Sequence, residues 1–170
     1  MYQRLYPEGD HPDIADSMNN LAHTLGELGK RQEALKMEEE VLKMRQRLYP
    51  EGDHPDIPLS LNNLAYTLGE LGKHQEALKM QEEVLKMYQR LYPEGDHPAI
   101  AVSMDHLAFT MYHLGKLDKS EALLASALDI YRRLLPPNHP TLVNCERGLA
   151  YVRSKAASVT PREVGSDNAH

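Results

Sequence analysis

The sequence predicts an all-α solenoid of helix–turn–helix repeats. Three observations carry that expectation: a unit that recurs at a fixed period, a 3.6-residue apolar periodicity inside each unit, and proline and glycine punctuation at matching places. The tripeptide Leu-Tyr-Pro stands at Leu5-Tyr6-Pro7, Leu48-Tyr49-Pro50 and Leu91-Tyr92-Pro93, and returns as Leu134-Leu135-Pro136, 43 residues apart each time. Residues 1–43 and 44–86 are identical at 36 of 43 positions. The third unit is more divergent, and the fourth has a turn one residue shorter and ends after a single helix.

Within the first unit, Ile14, Met18, Leu21, Ala22 and Leu25 fall at offsets 0, 4, 7, 8 and 11, one stripe of a helix over 12–28. Asp10 is the expected N-cap, and Pro12 suits the first turn, where its missing N–H costs nothing. Gly29 fits a left-handed C-terminal cap. A second helix over 31–49 is expected to bury Ala34, Leu35, Val41, Leu42 and Leu48, with Pro50 closing it. The Glu-Gly-Asp-His-Pro turn then opens the next unit. Pro58 falls inside the second unit's first helix but only three residues after Pro55, so one early hydrogen bond is at stake and not the helix.

The expected whole is one solenoid over 1–157: a half-helix at 1–6, units at about 11–49, 54–92 and 97–135, and a terminal helix in about 140–157. That makes seven substantial helices, the last from about 140 to 154. Residues 158–170 hold Ser, Thr, Pro, Gly, Asp and Asn without periodicity and are expected to be a disordered tail.

Composition excludes several classes. A net charge of -6 argues against nucleic acid, which demands a basic face. Mean hydropathy is -0.56 and no apolar run reaches the ~20 residues of a membrane span, so no membrane role is expected. The opening MYQRLYPEGD lacks the apolar region of a secretory signal, and Cys145 is the sole cysteine, which together suggest a cytoplasmic setting.

The spacing of Leu21-Ala22, Gly29 and Ala34, at offsets 0, 1, 8 and 13, resembles the tetratricopeptide repeat. The longer period, Asn19-Asn20-Leu21-Ala22, Asn62-Asn63-Leu64-Ala65 and the Gly-Asp-His-Pro turn resemble its kinesin-light-chain-like type more narrowly. The third and fourth units depart from the motif with Asp105-His106-Leu107-Ala108 and Arg147-Gly148-Leu149-Ala150. The resemblance implies a right-handed superhelix whose first helices line a concave groove that receives an extended peptide.

Opposite the apolar stripe of the first helix lie Asp16, Asn20, His23 and Glu27. The equivalents are Leu59, Asn63, Tyr66 and Glu70 in the second unit, and Val102, His106, Phe109 and His113 in the third. With Asn19 and Asn62 beside it, this stripe is the candidate peptide-binding site: Asp16, Asn19, Asn20, His23, Leu59, Asn62, Asn63, Tyr66, His106, Phe109 and His113. An asparagine amide donates and accepts at once, matching a peptide backbone, and exposed aromatics serve as interface anchors. The competing expectation is that the asparagines satisfy neighbouring helices and the aromatics fill space between repeats.

No metal or cofactor is expected. The turn histidines His11, His54, His97 and His139 sit a repeat apart, too far to converge on one ion. Cys145 has no evident activating base, and no phosphate loop or nucleophile elbow is present, so an enzyme is not expected. The run Glu38-Glu39-Glu40 reads as a solvated helix face. The leading reading is a protein-binding adaptor or scaffold. The alternative is a structural fragment that self-associates end to end through an uncapped N-terminal edge.

Overall fold

The computed structural model describes residues 10–51 and 54–159, so the expected half-helix at 1–6 and residues 160–170 of the expected tail lie outside it. Seven helices and no strand occur among the described residues: α1 (Pro12–Glu27), α2 (Arg31–Leu48), α3 (Asp56–Glu70), α4 (His74–Leu91), α5 (Pro98–His113), α6 (Leu117–Leu134) and α7 (Pro140–Val159). The last helix runs past 154 and takes in 158 and 159, which the sequence had assigned to the tail. Each helix packs mainly on its neighbours in sequence, and α3 also touches α5. Side-by-side first helices of that kind form one wall of a solenoid.

The helix starts correct one expectation. The N-cap of α1 is His11, whose Nδ1 accepts from the Asp13 N–H at 3.2 Å, and not Asp10, whose carboxylate turns away to Arg47. The device repeats: His97 Nδ1 accepts from the Ala99 N–H, His54 Nδ1 from the Asp56 N–H and His139 Nδ1 from the Thr141 N–H, all at 3.2–3.3 Å. A neutral imidazole nitrogen is an acceptor, so it satisfies a donor that the first turn leaves open. Tyr49 stacks on His54 at 3.5 Å between centroids and Tyr92 on His97 at 3.4 Å, so the recurring Leu-Tyr-Pro tyrosine orients the next unit's cap.

Gly29, Gly72 and Gly115 have φ of 75°, 77° and 72°. Lys30 N–H reaches back to the Leu25 carbonyl and Gly29 N–H to that of Gly26, a Schellman closure that needs the left-handed residue. Pro58 sits in the first turn of α3, and Leu59 N–H still bonds the Pro55 carbonyl, so the helix is intact.

The apolar core is uneven. At the α1–α2 end, Ile14, Ala15, Val41 and Met44 form a small buried cluster. Toward the other end, Tyr88, Ile100, Leu124, Leu128, Tyr131, Leu142, Cys145, Leu149 and Val152 belong to one large cluster. Leu64 and Leu107 pack in clusters with Leu35 and Leu78 of the preceding second helices. Leu21, their equivalent in the first unit, is 50% exposed, contrary to the buried stripe expected for α1, and Leu28, just past the helix, is 69% exposed. Among the described residues no helix precedes α1 to cover that edge.

Candidate protein-binding groove

The groove arises where α1 and α3 stand side by side with α2 between them. It encloses about 750 Å³. Asn19, Asn20, His23, Leu59, Asn63, Tyr66 and His106, seven of the sequence-predicted positions, line it. Asp16, Asn62, Phe109 and His113 do not.

The asparagines divide between the two expectations. Asn63 Nδ2 donates to Asn19 Oδ1 at 2.8 Å, tying α3 to α1, yet both residues remain half-exposed on the groove wall. Asn62 is buried and pairs with His106 Nδ1 at 3.1 Å, so it supports His106 from within and does not face a ligand. Burial pushes the His106 imidazole below its ordinary range, which keeps it neutral at physiological pH; Nδ1 then carries the proton that Asn62 Oδ1 accepts. The Tyr66 ring tilts against it with centroids 5.6 Å apart.

The other three positions outside the cavity have their own surroundings. Asp16 accepts from Arg45 at 2.6 Å, while Arg45, fully buried, also donates to Ser60 Oγ and to the Asp56 carbonyl. His113 stacks on His74 at 4.7 Å and meets the Phe109 ring edge-on at 4.4 Å. Phe109 continues the exposed row beyond the cavity: Leu59, Tyr66 and Phe109 are 39%, 49% and 45% exposed.

Sequence reasoning missed Arg31, Glu38 and Thr67, which also line the groove. Arg31 pairs with Glu70 at 2.8 Å across α2 and α3. Glu38 is buried, not solvated as the acidic run suggested, because α2 turns that position inward between α1 and α3. Its Oε1 accepts from Thr67 Oγ1 at 3.0 Å and its Oε2 has no partner. Burial pushes its carboxyl above the ordinary range, opposed by the Thr67 hydrogen bond and the His23 ring. A signal did exist: positions 16, 23, 31 and 38 are among the seven that distinguish the two near-identical units.

Two family models, both described as the tetratricopeptide repeat, match the chain, one over residues 45–90, 56–133 and 99–157 and the other over 14–56. The chain belongs to the tetratricopeptide repeat family.

Its repeats are of the kinesin-light-chain-like type. A Podosopora anserina structure described as a kinesin light chain with nearly identical TPR-like repeats superposes with a TM-score of 0.78 at 26% identity, covering 86% of this chain and 69% of that one. BtubC (BKLC) from P. vanneervenii gives 0.75 at 23% identity over 86% of this chain and 58% of its own. PcrH from Pseudomonas aeruginosa shares the fold, with 0.65 at 20% identity over 85% and 96%. A sequence comparison with curated proteins returned no match. Tetratricopeptide repeats are generally non-enzymatic, and this fold marks the chain as a protein-interaction or scaffold module with protein partners. No described helix is long and apolar enough to cross a membrane.

Proposed function

We propose that the chain is an adaptor that binds an extended segment of a partner protein along the wall formed by α1, α3 and α5. The observation that carries this reading is the exposed row Leu59, Tyr66 and Phe109, running beside a groove whose wall holds the amides of Asn19, Asn20 and Asn63. Large apolar side chains on a folded surface cost solvation unless something covers them, and aromatic anchors flanked by polar groups are the usual composition of binding hot spots. A cytoplasmic location goes with this reading, since the one thiol, Cys145, is buried and unpaired.

The test is a peptide-display selection on the full chain followed by titration of the recovered peptides. Tyr66→Ala or Phe109→Ala is expected to weaken them by more than ~1 kcal/mol without lowering the melting temperature appreciably. If affinity ignores both substitutions but collapses when Glu39, Glu82 and Glu83 on the second helices are reversed in charge, the outer face is the recognition surface instead.

The exposed Leu21 and Leu28 favour a second reading, end-to-end self-association through the α1 edge. Light scattering across a concentration series separates the two: a self-assembler gains mass with concentration, an adaptor does not.

A further inference from the structure

We infer that Glu38 makes the groove selective for a partner segment carrying a lysine, whose ammonium docks on the free carboxylate oxygen in the groove wall between α1 and α3. This inference rests on the groove reading above and specifies its ligand.

Three observations converge on it. Glu38 is 7% exposed, lines the groove, and spends only Oε1 on the protein, through Thr67; Oε2 is buried without a partner. A carboxylate in that state is costly to the fold by itself, and an incoming cation would remove the cost. The charge is also not a packing requirement. The equivalent position of the next unit is Gln81, also buried and also with one unpartnered oxygen, Oε1, but uncharged, and the one after is Leu124. A neutral amide therefore serves the solenoid, and the acid at 38 is a feature of this groove alone.

The surroundings select the cation. Glu27, Glu38 and Glu70 line the cavity with one permanently charged basic side chain, Arg31, which is already engaged by Glu70, while His23 in the same lining lies 3.6 Å from Glu27. A deeply set oxygen is reached by a slender flexible stem, not by a peptide backbone. Since one carboxylate oxygen already accepts from Thr67, the forked two-bond pairing that favours arginine is disfavoured, whereas a point-like ammonium needs only one oxygen. Its remaining donors can turn to Asn20 or Glu27 in the same wall.

Burial holds the Glu38 carboxyl above its ordinary range, and a cation beside Oε2 would bring it back down.

Fluorescently labelled peptides from the display selection, each resynthesised with Lys, Arg, norleucine or Glu at its basic position, test this by polarisation against the full chain. Lysine should bind at least about tenfold tighter than norleucine. Glu38→Gln, which installs the residue that unit two already tolerates, should keep the fold and the Tyr66 dependence but bring lysine and norleucine within about twofold of each other. The inference falls if the selected peptides carry no basic position, or if the lysine preference survives Glu38→Gln, while Tyr66→Ala still weakens binding. If no selected peptide depends on Tyr66, the groove reading fails and this inference fails with it.

Discussion

The junction between the first two units and the junction between the third unit and α7 use the same backbone positions with opposite chemistry. At the first, Arg45 lies buried between Asp16 and Ser60, Arg31 pairs with Glu70, and Glu38 reaches Thr67. At the last, the position of Arg45 is Tyr131, that of Glu38 is Leu124 and that of Asp16 is Val102, all in or against one apolar cluster. The middle junction is intermediate: Tyr88 and Leu59 replace Arg45 and Asp16, and the stacked His74 and His113 stand where Arg31 and Glu70 would. The solenoid thus grades from ionic to apolar along its axis. In a stack stabilised by neighbour contacts, that grading puts most stability at the α7 end and leaves the polar, ligand-facing chemistry at the other.

The largest effect is expected where the junction is apolar. Tyr131→Ala should cost about 3–5 kcal/mol through lost burial and the cavity left behind, read by urea unfolding. A cost below ~1 kcal/mol would mean the large cluster does not dominate stability.

The first junction should instead respond to pairing. Asp16→Leu alone strands the buried Arg45 with only Ser60 and a carbonyl, and should cost about 1–3 kcal/mol. Adding Arg45→Tyr recreates the Leu59 and Tyr88 combination of the second unit and should recover most of that loss. A double variant no better than the sum of the singles would show that the two positions are independent.

Asp105 breaks the gradient and sharpens it. Asn19 and Asn62, at the same position, pair with Asn63 and His106, but the residue facing Asp105 in that register is Gly148, which has no side chain to offer. Without a polar partner there, burial pushes the Asp105 carboxyl from 3.8 up to about 6. Because the folded state holds the proton more tightly, the stability linked to this group is full below pH 3.8 and is lost as pH rises through about 6. Asp105→Asn should therefore stabilise the chain by about 1–2 kcal/mol at pH 7 and by little at pH 4. Equal gains at both pH values would refute the desolvation account.

Much of the fold was legible because it rests on repetition. The helices, the left-handed Gly29 and the mild effect of Pro58 follow from period and local chemistry. The histidine caps were not legible, since Asp10 is the better cap by composition and only the turn geometry sends it to Arg47. Leu21 misled because periodicity marks a helix face without saying whether a neighbour covers it. In the groove, the stripe on the first helices was readable from spacing. Glu38 was not, because an acidic run on a second helix looks solvated until packing shows one of its members turned inward. The seven differences between the near-copies held that information, and reading them as contact pairs would have found it.

The most direct test of the groove is to titrate a selected peptide into isotope-labelled chain and map the amide shifts. The account predicts that changes concentrate on α1, α3 and α5, strongest around Asn63, Tyr66 and His106, with Glu38 the main second-helix position affected. Shifts spread over the outward faces of α2, α4 and α6, with the Tyr66 region unmoved, would contradict it.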